Sequence, residues 1–325
     1  MNHNFLKIAV PIIVVLIVIA SLAFFAFPKA EQKTINVSYL PSNNSLPLFV
    51  AIERGWFEEA GLKVNLMRIE SPKDIIDGLI NGNIDAGSPA TPAGITTVVE
   101  SQNPGALKVF ALNCEYKDQL IDEILVPVDS QIKSISELKG KKIAHIPGVQ
   151  WQTLTKKILM VNGINPDDVT LIELSFANQL PALASHSIDA VVTLEPTGAI
   201  GISKNAAKVF VKAPVGNFVV NPLCPGAGVL SAKFINSNPV EAKKFVEIID
   251  RAMAETNTVK ENRQLLVKYL QLPQKAVDSA DIPVFYSAKD FNSEIVSAYQ
   301  EFADLFFELK VTKKKINVQD LFWNQ

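Results

Sequence analysis

Arginine is scarce in this chain: Arg54, Arg68, Arg251 and Arg263 are the four it has among 325 residues, and the formal net charge is −2. No basic stripe alternates with aromatic residues, which argues against nucleic-acid binding. The Lys313-Lys314-Lys315 run reads as a solvated turn or helix end. Cysteine is scarcer still. Cys114 and Cys224 fit neither a zinc motif nor a redox CxxC pair, so no metal centre is expected. A GxSxG elbow and a Gly-rich phosphate loop are also missing. No cofactor and no catalytic constellation follow from these absences.

The long apolar run is confined to one place. Residues 8–27 form twenty uncharged positions between Lys7 and Lys29. That length can span a bilayer and exceeds the core of an ordinary signal peptide. Ser21-Leu22-Ala23 leaves a cleavable signal as the alternative. A lipoprotein anchor is excluded because no cysteine lies nearby. The expectation is an N-terminal membrane segment, residues 1–33, with the remainder outside the cytoplasm. In that oxidising setting Cys114 and Cys224 read either as a disulfide or as two small buried apolar residues.

The informative pattern is an echo. "GLINGNIDAGSPATP" (78–92) and "ALASHSIDAVVTLEP" (182–196) share Leu, Ile-Asp-Ala and Pro at one spacing, 104 residues apart. The likeness extends upstream. "TINVSYLP" alternates as a strand does, "LPLFVAIERGWFEEAGL" has helical spacing, "KVNLMRI" is a second strand and "SPKDIIDGLINGN" a helix with Ser and Pro at its start. "KKIAHIP", "VQWQTLTKKILMVNGI", "DVTLIEL", "SFANQLPALASHS" and "IDAVVTLEP" repeat the order. Two similar α/β lobes are expected, each a mostly parallel sheet with flanking helices. The mainly helical stretch after Pro239 would return to the first lobe. Residues 34–113 and 227–325 then form lobe one and residues 114–226 lobe two, joined by two crossover strands that act as a hinge. Cys114 and Cys224 lie one in each crossover.

Ligands of such sheets lie beyond the carboxyl ends of the strands. Four loops meet there: 41–47, 87–91, 147–153 and 194–197. They contain no Arg or Lys, which favours a neutral, zwitterionic or singly charged organic ligand. Asn43, Asn44 and Ser45 in the first loop, and Ser88 and Thr91 in the second, are candidate ligand contacts. Trp151 could stack on a flat ligand or fill the lobe interface. Glu195 could accept from an amine or sit on a helix N-terminus. Tyr116 and Asn217, in the crossovers, would reach the ligand on closure. Asp85 and Asp189, at the strand-starting end, read as turn or cap residues. His145 reads as a core or edge residue and His186 as a surface one.

"GWFEEAGLKVNL", "DIIDGLINGNIDAG", "SISELKGKKIAHIPG", "LMVNGINPDDV", "LASHSIDAVVTLEP" and "NPVEAKKFVEII" together resemble the nitrate-, sulfonate-, taurine- and thiamine-precursor-binding proteins of ABC importers. The resemblance covers nearly all of residues 34–325. It implies a two-lobed periplasmic-binding-protein-like (type II) fold that holds a small polar organic solute without changing it. It further implies a monomer that works with permease and ATPase subunits. The alternative is an enzyme on the same fold, such as one of pyrimidine-precursor biosynthesis. This chain departs from the family in two places: "PGVQWQT" opens the lobe-two helix, and Ser-His-Ser stands where a Gly usually precedes the second Ile-Asp-Ala.

Overall fold

Period-2 and period-3.6 segments alternate along the chain, and the elements follow them. The structure, a computed structural model, describes residues 34–323 apart from 120 and 280. The apolar run at 8–27, with the membrane role expected of it, lies outside the described residues. The first copy comprises β1 (Thr34–Tyr39), α1 (Leu46–Glu53), β2 (Lys63–Arg68), α2 (Pro72–Asn81) and β3 (Ala86–Pro92). Then come α3 (Ala93–Gln102), β4 (Leu107–Glu115) and β5 (Asp122–Pro127). The second copy comprises β6 (Lys142–His145), α4 (Val149–Val161), β7 (Thr170–Glu173), α5 (Phe176–Ala184) and β8 (Ala190–Leu194). It is followed by α6 (Thr197–Ser203), β9 (Ala207–Lys212) and β10 (Leu223–Ser231). The last part holds α7 (Pro239–Thr258), β11 (Val284–Ser287) and α8 (Ser293–Glu308).

Two sheets result, ordered β11-β4-β10-β3-β1-β2 and β7-β6-β8-β5-β9. Helical crossovers return the chain in one direction, so β1 with β3, and β6 with both β7 and β8, are parallel. The connecting strands run the other way: β10 is antiparallel to β3 and β4, and β5 to β8 and β9. Both sheets are therefore mixed, a parallel core extended by antiparallel crossovers. α7 packs its Phe245 against Phe57 and Phe110 of the six-stranded lobe. α8 lies there too, its Tyr299 hydroxyl donating to the Ala93 carbonyl at 3.2 Å. One apolar cluster runs through both lobes, from Leu112 and Val229 to Ile143 and Val192, with Trp151 inside it.

The repeated Ile-Asp-Ala has a structural cause. Asp85 accepts from the Asn36 amide at 2.9 Å and returns its own N–H to the Asn36 carbonyl. Asp189 does the same with Lys142, accepting at 2.8 Å. Each Asp thus clamps the start of the neighbouring parallel strand. The helix ends before them match as well: Asn83 and Ile84 donate to Gly78, and Ser187 and Ile188 to Ala182. The left-handed turn residue is Gly82 (φ 82°) in the first copy and His186 (φ 55°) in the second. A Cβ in that region costs roughly 1–2 kcal/mol, while glycine loses about 0.5–1 kcal/mol more backbone entropy on folding. His186→Gly should therefore raise stability by about 0.5 kcal/mol in urea unfolding. A decrease would show that the exposed His186–Asp129 pair, 3.4 Å apart, outweighs the turn.

Candidate functional site

All four strand-end loops contribute, with the crossovers, to a buried polar layer between the lobes. In the first loop Ser42, Asn43, Asn44 and Ser45 are all buried, in a 3₁₀ turn entering α1. Ser45 donates its hydroxyl to the Leu40 carbonyl at 2.7 Å and lies 3.4 Å from the Ser88 hydroxyl of the second loop. Thr91 folds back on the same loop, donating to the Ser88 carbonyl at 2.9 Å. The Asn44 amide donates to Asn113 Oδ1 at 3.4 Å, and Asn113 donates in turn to the Pro89 carbonyl. Asn43 donates to the Asp281 carbonyl at 3.2 Å.

From the other lobe, the first turn of α4 carries Gln150, whose Oε1 accepts from the Gly94 amide at the head of α3 at 2.7 Å. Its Nε2 donates to the Pro225 carbonyl at 2.9 Å. One carboxamide thereby joins lobe two to a helix start and a crossover strand of lobe one. Sequence reasoning misses Gln150, although "PGVQWQT" stands out as a departure from the family pattern. Trp151 is buried in the shared apolar cluster, so its indole holds the lobe interface.

Four carboxylic acids form the floor: Glu115 at the end of β4, Asp122 and Glu123 at the start of β5, and Glu195 after β8, each no more than 2 % exposed. Asp122 accepts from the Val215 amide at 2.8 Å. Glu123 accepts from Gly198 at 2.6 Å and Glu195 from Ala199 at 3.1 Å, so both lie against the start of α6. Burial pushes Asp122 and Glu195 up to about 7. Burial first, then the charge of Asp122, lifts Glu115 well above the usual carboxylate range. Glu123 is lifted likewise by burial and then by Glu195. Of these acids, sequence reasoning singles out Glu195 alone. The missed signal is Asn113 and Glu115 at alternate positions of an apolar strand, which put polar groups on one buried face.

The remaining candidates fall elsewhere. Tyr116 shares its hydroxyl with Tyr286 at 2.8 Å, a contact at the edge of the layer. Asn217 departs from the expectation: it is exposed, and its amide donates to the Lys212 and Ala213 carbonyls, capping a short turn instead of facing the layer. Cys114 and Cys224 are disulfide-bonded, with Cα atoms 4.1 Å apart. They stand on β4 and β10, where Leu223 pairs with Glu115. A crevice of about 140 Å³ lies between Pro41 and Arg68 on one side and Phe176, Pro196 and Thr197 on the other.

Two α/β lobes, joined by paired crossover strands around a buried polar layer, define the periplasmic-binding-protein class of fold. Solved structures agree. The alkanesulfonate-binding protein of Xanthomonas axonopodis pv. citri, bound to MOPS, superposes with a TM-score of 0.74 at 18% identity, covering 91% of this chain and 100% of that one. The nitrate-binding protein of Synechocystis PCC 6803 gives a TM-score of 0.69 at 14% identity, covering 89% and 84%. The chain belongs to the NMT1/THI5-like family, whose model matches residues 42–279. A putative aliphatic sulfonates-binding protein of Bacillus subtilis is 29% identical over 282 residues, 85% of this chain and 82% of that protein. A yeast 4-amino-5-hydroxymethyl-2-methylpyrimidine phosphate synthase is 23% identical over 235 residues, 68% and 66% of the two chains.

Proposed function

We propose that this chain is the extracytoplasmic solute-binding component of an ABC importer. It captures one small polar organic molecule between its lobes and presents the closed form to permease and ATPase subunits. The observation that carries this reading is the buried polar layer itself, built from loops of both lobes and crossed by both connecting strands. Buried polar groups of that kind are costly unless partnered. A solute taken up between closing lobes supplies partners that the protein alone does not.

Residues 34–113 with 227–325, and residues 114–226, are the moving units, and the chain acts as a monomer. The N-terminal apolar run tethers it outside the cytoplasm. Among the described residues no helix is long and apolar enough to cross a membrane. The names of the relatives suggest sulfonate, taurine-like and aminopyrimidine solutes as the first to test, bound without chemical change. Glu195 and the loop residues Asn43, Asn44, Ser45, Ser88 and Thr91 contact the solute, and Trp151 supports the interface.

A thermal-shift panel of these solutes tests the reading. Ligand at a hundredfold excess over its dissociation constant should add ~2.7 kcal/mol of stability. That corresponds to roughly 2–4 °C for each kcal/mol in bodies of 150–250 residues. Glu195→Gln should weaken amine-bearing solutes by at least about tenfold and leave others unchanged. Steady turnover of a bound solute by the purified protein would replace the receptor by an enzyme.

A further inference from the structure

We propose that the solute carries a positively charged, multi-donor nitrogen group (alkylammonium, amidinium or guanidinium) that the acidic floor between the lobes recognises. This deepens the receptor reading above and rests on it. The evidence is an imbalance of hydrogen-bonding groups. Asn43 Oδ1, Asn44 Oδ1, both oxygens of Glu115, Glu123 Oε2 and the Ser42 hydroxyl are buried with no hydrogen-bond partner among the described residues. Once the two carboxyls are ionised, all but the Ser42 hydroxyl can only accept.

Their placement is shared between the lobes. Glu115 borders Asn44 on the six-stranded side. Glu123 lies against α6 beside Glu195 on the five-stranded side. The charge of Asp122 acts on both. Every charged group acting on these carboxylates is another carboxylate: Asp122 on Glu115, Glu195 and Asp122 on Glu123, and Asp281 on Glu195.

The backbone donors at the helix starts are already used. Gly94 gives its N–H to Gln150, Gly198 to Glu123 and Ala199 to Glu195. A simple sulfonate or nitrate would bring only more acceptors and more negative charge. With the carboxyls ionised, it would leave the Asn43, Asn44 and carboxylate oxygens unpartnered, and only the Ser42 hydroxyl could donate to it. A metal ion is a poorer fit, because among the described residues no three His, Cys, Asp or Glu are grouped to hold one. An organic cation with several N–H groups spans separated acceptors and neutralises the floor.

Binding of such a cation needs the carboxylates ionised, so it should release protons. Calorimetry on the full chain in mild detergent, with taurine, agmatine and putrescine against ethanesulfonate and butanediol, tests this. At least one of the three nitrogen compounds should bind, with a counterpart lacking nitrogen at least about tenfold weaker. Its affinity should rise about tenfold from about pH 5.5 to about pH 8, with proton uptake by the buffer. Glu123→Gln keeps an oxygen for the Gly198 amide and removes the charge. That variant should melt no lower than the wild type and bind the cation at least about tenfold more weakly. If ethanesulfonate binds as tightly as taurine, or sulfonates bind and no cation does, the proposal falls and the receptor reading stands. If neither these compounds nor aminopyrimidines bind, both fall.

Discussion

Replacing Cys114 and Cys224 by alanine should lower the free energy of unfolding by about 4–5 kcal/mol, and reducing the wild-type protein should do the same. The two residues are separated by 110 positions. The loop they close contains all five strands of the second sheet. In the chain-entropy account, opening so long a loop frees the unfolded chain far more than it disturbs the folded one. Both sulfurs are buried where β4 and β10 already pair, so the alanines leave the crossover ladder in place. Urea unfolding of the double variant checks this through the midpoint and through a larger slope from a more expanded unfolded state. A loss below about 1 kcal/mol would show that the crossovers restrain the unfolded chain without the bond.

The acidic floor makes stability depend on pH in an unusual sense. Asp122 and Glu195 hold their protons up to about 7 in the folded protein, against ordinary values near 4 when unfolded. Between those limits the folded state binds more protons than the unfolded one. Their contribution is fully present below about pH 4 and is lost as pH rises through about 7. Each pH unit across that interval costs ~1.4 kcal/mol per group, so the two together amount to a loss of about 8 kcal/mol. Glu53, held down by Lys268, and Glu255, held down by Arg54, act oppositely and lose their pairs in acid. The melting temperature should therefore peak near pH 5 and fall by roughly 10 °C or more by about pH 8. Asp122→Asn together with Glu195→Gln should flatten that decline. An optimum at neutral pH in the unliganded wild type would show that the acids are ionised at little cost and that water reaches the floor.

The alternation of strands and helices, the paired Ile-Asp-Ala segments and the return of the C-terminal helices are legible in sequence because each depends on local periodicity and turn chemistry. Asp85 and Asp189 read as turn or cap residues and act at the strand starts, since the need for a partner there is set within one βαβ unit. Strand order and direction across the crossovers are less legible. Whether β4 and β10 join the first sheet antiparallel depends on contacts between segments more than 100 residues apart. The layer between the lobes is least legible. Glu115, Asp122 and Glu123 sit beside a polar stretch that suggests solvent, and only the meeting of two sheets buries them. Trp151 and Gln150 are neighbours at the head of one helix, yet one enters the apolar cluster and the other bridges to Gly94. Local sequence determined which elements form and where they end, because their hydrogen bonds close over a few residues. Tertiary structure decided which polar groups lose water, because burial depends on what the opposite lobe places against them.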